Sequence, residues 1–138
     1  MFFTQKAYLN AKGGPAIFNI THDVKRALAD SKAKKGLVMI LSTQGTAGVK
    51  LIENDPALQK EMLDEVFKQF EKTGAEDPKR KSLTGANCFH KMAASVGLSL
   101  TVAFDGGRLL TSAFHDIVGF DFEPKPGRRE FVITILGE

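Results

Sequence analysis

The sequence predicts an α+β fold: a compact single domain over residues 1–138, with mixed or antiparallel sheets, three helices and seven or eight strands. Two patterns carry this. Short apolar or alternating runs recur between Gly, Pro, Asn and Asp turn residues, and three other stretches place apolar residues at helical spacing. In addition, residues 98–138 contain almost nothing but strand and turn signals.

In chain order, Phe3 to Leu9 alternates and reads as a first strand. Lys12-Gly13-Gly14-Pro15 is a turn, and Ala16 to Ile20 a second short strand. Thr21 is the expected N-cap of a helix with Asp23 in its first turn, where a negative charge suits the helix dipole. Val24, Ala27, Leu28 and Ser31 share one face, and Lys34-Lys35-Gly36 is the expected stop. Leu37 to Leu41 is continuously apolar and reads as a buried strand. Ser42 to Gly48 is small and polar, before Val49 to Ile52 resumes as strand.

Asp55 and Pro56 open the clearest helix, as N-cap and first helical residue. Leu58, Met62, Leu63, Val66, Phe67 and Phe70 form its apolar stripe, and Thr73-Gly74 ends it. Residues 75–83 are charged and contain proline, as a loop would. Thr84 is placed to cap a third helix, with Ala86, Phe89, Ala93 and Val96 on its buried face and Gly97 at its end. Strands are then expected at Leu98–Phe104, Arg108–Phe114, Asp116–Phe122 and Phe131–Leu136.

Composition excludes several classes. Hydrophobic residues make up 43% and charged residues 25%, which is ordinary for a globular chain and too apolar for a disordered one. The longest apolar run, Leu37 to Leu41, is far short of a membrane span, so no membrane partner is expected. Met1 to Lys6 lacks the pattern of a signal peptide, and the single Cys88 excludes an internal disulfide and CxxC sites. A cytoplasmic location is therefore expected. The net charge of +3 leans toward small anionic ligands; it is not the footprint of a nucleic-acid binder.

Among chemistry-bearing residues, the three histidines form no HxH, HExxH or i,i+4 pair. His22 reads as a surface residue. His90 flanks the buried face of the third helix, about 100° from Phe89. His115 follows Phe114 in an expected strand, so the two point to opposite faces. Cys88 and His90 are two apart on a helix and do not face each other. There is no GxSxG, GxGxxG or Walker A pattern. Two polar clusters remain. Gln44-Gly45-Thr46 with Glu53-Asn54 offers either a binding loop or ordinary turn and cap chemistry. Asp105-Gly106-Gly107-Arg108 is a hairpin turn whose arginine either clamps an anion or is solvated. Lys79-Arg80-Lys81 is a solvated basic run or a guide for an anion.

The stretches His90 to Gly97, Leu98 to Val102, Gly107-Arg108 to His115 and Gly127-Arg128-Arg129 before the last strand resemble the YjbQ-like family, sometimes described as secondary thiamine-phosphate synthases. Ile20-Thr21, Thr46-Ala47 and Glu53-Asn54 resemble its N-terminal segments, so the resemblance covers nearly the whole chain. It implies an α+β homotrimer with a polar pocket, near subunit boundaries, where histidines of three segments look like metal ligands. This chain departs from that pattern. Gln44 stands where the family has a histidine, Lys79 or a neighbour stands where it has another, and only His90 matches. Phe114-His115 replaces Trp-Gln, Ser112-Ala113 replaces the preceding Gly-Thr, and Ile52 replaces an asparagine. A glutamine amide is a poor transition-metal ligand beside imidazole, and an ammonium repels a cation. The cofactor is thus open: a divalent metal on His90 is the family's implication, with two of its three histidines replaced.

Two readings follow. In the first, the chain is an enzyme-like member, a thiamine-phosphate-synthase-like transferase or a binder of a small phosphate-containing molecule. His90 and Glu53 would then be catalytic, and Gln44, Thr46, Asn54, Arg108 and His115 would bind the ligand. In the second, it is a non-catalytic trimeric binding or structural protein with a degenerate metal site.

Overall fold

The computed structural model describes residues 1–71 and 87–138. The expected helix end at Thr73-Gly74, the expected loop at 75–83, the cap at Thr84, Ala86 and the basic run with Lys79 lie outside the described residues.

Among the described residues there are eight strands and three helices. They run β1 (Phe2–Ala11), β2 (Ala16–Asn19), α1 (Thr21–Ser31), β3 (Lys35–Ser42), β4 (Ala47–Glu53), α2 (Pro56–Phe70), α3 (Asn87–Val96), β5 (Ser99–Asp105), β6 (Arg108–Leu109), β7 (His115–Asp121) and β8 (Gly127–Gly137). The fold is α+β, as the sequence predicts. One sheet has the order β1-β8-β3-β5-β6 and the other β2-β7-β4, with antiparallel pairing throughout.

Two apolar cores separate the layers. The first joins the inner face of the larger sheet (Val38, Ile40, Phe104, Phe131, Ile133, Ile135) to Val24, Ala27 and Leu28 of α1 and to Val49 and Ile117 of the smaller sheet. The second lies on the other face of the smaller sheet, where Val118, Phe120 and Phe122 meet Leu63 of α2 and Met92, Ala93 and Val96 of α3. The alternation of Ile117 with Val118 along β7 serves both cores at once. Gly119 leaves room for the Phe131 ring of the first core, since a Cβ there would stand 2.7 Å from it.

Several local expectations are corrected. Thr21 does not cap α1. Ile20 occupies the cap position, and the Thr21 hydroxyl accepts from the Ile117 amide at 2.8 Å, tying the helix start to β7. The helix stops at Ser31 rather than at Lys34-Lys35, because Lys32 adopts φ 61°, a left-handed C-cap whose amide bonds back to the Ala29 carbonyl. By contrast, Asp55 caps α2 as expected, accepting from the Ala57 and Leu58 amides at 3.0 and 3.2 Å.

The apolar run of β3 is buried on one face only. Val38 and Ile40 are sealed, whereas Leu37 and Leu41 remain 43% and 46% exposed, because among the described residues no layer covers the outer face of the larger sheet. The expected strand at Arg108–Phe114 shrinks to two residues, since Leu110 onward leaves the sheet and Ser112 organises a turn. Phe114 is accordingly 72% exposed and His115 half-buried.

Candidate functional site

The structure divides the seven residues singled out in the sequence between the two ends of the smaller sheet. At one end, Gln44, Gly45, Thr46 and His90 line a cavity of about 350 Å³ with Glu123, Pro124 and Lys125. At the other end, Arg108 and His115 line a cavity of about 530 Å³. Strand register sets the separation. Ala47 pairs with Asp121 at the first end, and Glu53 pairs with His115 at the second. The six intervening steps of extended chain span about 20 Å. One small molecule therefore does not reach both His90 and Glu53 of a single chain. Glu53 and Asn54 are exposed and line neither cavity; the Asn54 amide donates to the Phe114 carbonyl at 2.7 Å, and the Glu53 carbonyl accepts from Gln59 Nε2 at 2.9 Å.

The His90 pocket is built from three segments. Helix α3 turns Met92, Ala93 and Val96 into the core, which leaves His90 half-buried at the edge of that face. The loop opposite is held by Ser42, itself buried, whose hydroxyl donates to the Gln44 carbonyl at 3.0 Å and lies 3.4 Å from the Gln44 amide. Thr46 is buried and its carbonyl accepts from the Phe122 amide at 2.9 Å. Between them Gly45 passes so close to His90 that a Cβ would stand 2.7 Å from Nδ1. Glycine is what lets the loop pack against the imidazole.

Gln44 has a defined orientation. Its Nε2 donates to the Arg128 carbonyl at 3.0 Å, which leaves Oε1 as a buried acceptor without a partner among the described residues. Arg128 in turn stacks its guanidinium 4.4 Å above the Tyr8 ring.

The third wall is the turn at Glu123 to Lys125, and a buried ion pair holds it. Arg129 Nε donates to Asp121 Oδ1 at 2.9 Å, with both side chains almost fully buried. The same guanidinium donates through Nη2 to the Glu123 carbonyl at 3.3 Å and to the Lys125 carbonyl at 2.7 Å. Asp121 Oδ1 also accepts from the Glu123 amide at 3.1 Å. Sequence reasoning did not assign this pair to the site. The available signal was a charged residue at an inward position of each strand, since Asp121 follows Phe120 and Arg129 precedes the last apolar alternation.

The described residues do not fit the metal that the family resemblance implies. Among them, no three His, Cys, Asp or Glu side chains come together. The polar groups around His90 are an amide, a hydroxyl, one carboxylate and one ammonium, a poor set for a transition metal. What they offer is hydrogen bonding of both senses, with an imidazole able to give or take a proton.

A model of the family described as UPF0047 protein YjbQ-like matches residues 5–138. The chain belongs to the YjbQ-like (UPF0047) family. It is 28% identical over 126 residues to UPF0047 protein MJ1081 of Methanocaldococcus jannaschii, an alignment covering 88% of this chain and 86% of that protein. It is also 28% identical over 125 residues to UPF0047 protein YugU of Bacillus subtilis, covering 88% and 89%. Solved structures share the fold. A YjbQ/UPF0047 family protein of Clostridium acetobutylicum superposes with a TM-score of 0.84 at 23% identity, covering 96% of this chain and 99% of that one. A protein of unknown function from Sulfolobus solfataricus gives 0.81 at 18% identity over the full length of both chains. The family is one of uncharacterised proteins. No helix among the described residues is long and apolar enough to cross a membrane.

Proposed function

We propose that this protein binds a small phosphate-containing molecule in the Gln44–Thr46–His90 pocket, with His90 exchanging a proton with it. The observation that carries this reading is the convergence of Gln44, Thr46 and His90, from a loop and a helix far apart in sequence, on one polar cavity. Lys125 supplies a positive charge at the rim for an anionic group, and Gln44 Oε1 is an acceptor waiting for a donor on the ligand. Thiamine phosphate is the first molecule to test, an expectation that rests on the family resemblance alone. Titration of the wild type and of His90→Ala with thiamine phosphate tests the reading. Binding that weakens by about tenfold or more in the variant, at an unchanged melting temperature, supports it. Equal binding by both proteins refutes it.

The non-catalytic reading has its own support. Glu53, the expected partner of His90, belongs to the opposite end of β4, and no second carboxylate replaces it beyond Glu123. Turnover of thiamine-phosphate precursors separates the readings, because a binding protein retains affinity with no product.

We also propose that the protein acts as a homotrimer in the cytoplasm. The outer face of the larger sheet supports self-association. Register aligns Phe2, Leu136 and Leu37 across three neighbouring strands, and Met39 and Leu41 extend the patch along β3, all of them exposed. Light scattering at three times the 15.0 kDa chain mass bears this out, and a monomer mass overturns it.

A further inference from the structure

We propose that the cavity at the His115 end of the smaller sheet is a second binding site, separate from the His90 pocket, for the phosphate group of a small molecule with an apolar body. Two cations line it: Lys25 from α1 and Arg108 from the Gly106-Gly107 turn. Neither forms an ion pair with any described residue, and no carboxylate is among the residues that line the cavity. Two like charges facing one cavity without a counter-ion favour an anion between them, and arginine suits phosphate oxygens in particular.

The loop that closes the cavity is built rather than loose. The Leu110 amide bonds to the Ala103 carbonyl at 2.9 Å, the His115 amide to the Ser112 carbonyl at 3.1 Å and the Phe114 amide to Ser112 Oγ at 3.0 Å. This leaves the backbone amides of Thr111, Ser112 and Ala113 without an acceptor among the described residues. Consecutive free amides are the usual backbone contribution to an anion site. Because Ser112 Oγ already accepts a bond, its hydrogen is left to donate.

His115 adds an independent observation. Its Nδ1 is buried and has no partner among the described residues, and the residue lines the cavity. Leu28 and Leu109 supply an apolar wall, and a volume of about 530 Å³ accommodates a small metabolite rather than a bare ion. The ligand class is therefore a small phosphate or pyrophosphate ester.

Inorganic pyrophosphate is the probe. Titrated calorimetrically into the wild type, it is expected to bind saturably at millimolar concentration or tighter. The doubly substituted Lys25→Gln/Arg108→Gln protein should weaken this by about tenfold or more, while Lys12→Gln, at an exposed lysine that lines neither cavity, leaves it within about twofold. Lys25 and Arg108 are exposed, so the substitutions leave the fold intact, which an unchanged melting temperature without probe verifies. Equal binding by the double variant, absence of saturable binding to the wild type, or an equal loss of binding in Lys12→Gln each overturns the proposal. Failure of the His90 reading, seen as His90→Ala binding thiamine phosphate normally, is a separate result.

Discussion

Replacing Asp121 by alanine should strand a charge. The Arg129 guanidinium is buried and cannot lose its proton, so the variant keeps a cation in the interior after removing the carboxylate 2.9 Å from it. The two carbonyl bonds to Glu123 and Lys125 remain, and these partly solvate the charge without neutralising it. Breaking one side of a buried pair in this way costs about 3–5 kcal/mol. For a chain of 138 residues that corresponds to a fall in melting temperature of about 10–17 °C. Urea unfolding measures it directly, with the slope of the transition showing whether the unfolded state has changed. Asp121→Asn keeps an acceptor for Arg129 and should lose less. The doubly substituted Asp121→Ala/Arg129→Ala protein should be more stable than additivity predicts, with a coupling of about 3 kcal/mol. The function should follow the stability, because the pair holds the Glu123–Lys125 wall of the His90 pocket. A loss below about 1 kcal/mol, or additive single effects, would refute the reasoning, since the pair would then behave as an exposed one.

Gly45→Ala is expected to displace the His90 ring, because its Cβ has 2.7 Å in which to fit; ligand affinity should fall by more than stability, as calorimetry beside thermal melting will show. Leu37→Lys with Met39→Lys places two charges on the outer sheet face and should shift the light-scattering mass to that of a monomer. Met92→Ala removes a sealed side chain from the second core and should cost about 2–5 kcal/mol in urea unfolding. Asp55→Ala removes the cap of α2 and should cost about 1 kcal/mol by the same assay.

The fold class was legible because its signals are local. The Asp55-Pro56 start of α2, the strand at Val49 and the Asp105-Gly106-Gly107 turn each follow from a few adjacent residues. What was not legible depends on which surfaces meet. The run Leu37 to Leu41 has the composition of a strand buried on both faces, and only the stacking of layers shows that one face is left uncovered by the described residues. The sequence likewise marks Gln44, Thr46, Glu53 and His90 as polar residues near turns or on a helix edge, yet their proximity is set by register. Six steps along β4 put Glu53 out of reach of His90, and no local pattern encodes that. Asp121 and Arg129 were missed for a related reason. A buried pair looks like two surface charges until both strands are seen to point them inward.

The claim that matters most is that the His90 pocket receives a ligand. Proton NMR of the His90 ring during a titration with thiamine phosphate, and with inorganic phosphate as a second probe, tests it most directly. The account predicts saturable shifts of the His90 signals and of the Gln44 side-chain amide with at least one probe. If both residues stay unmoved at millimolar concentrations of both molecules, the pocket is not a phosphate-ligand site and the account is wrong at its centre.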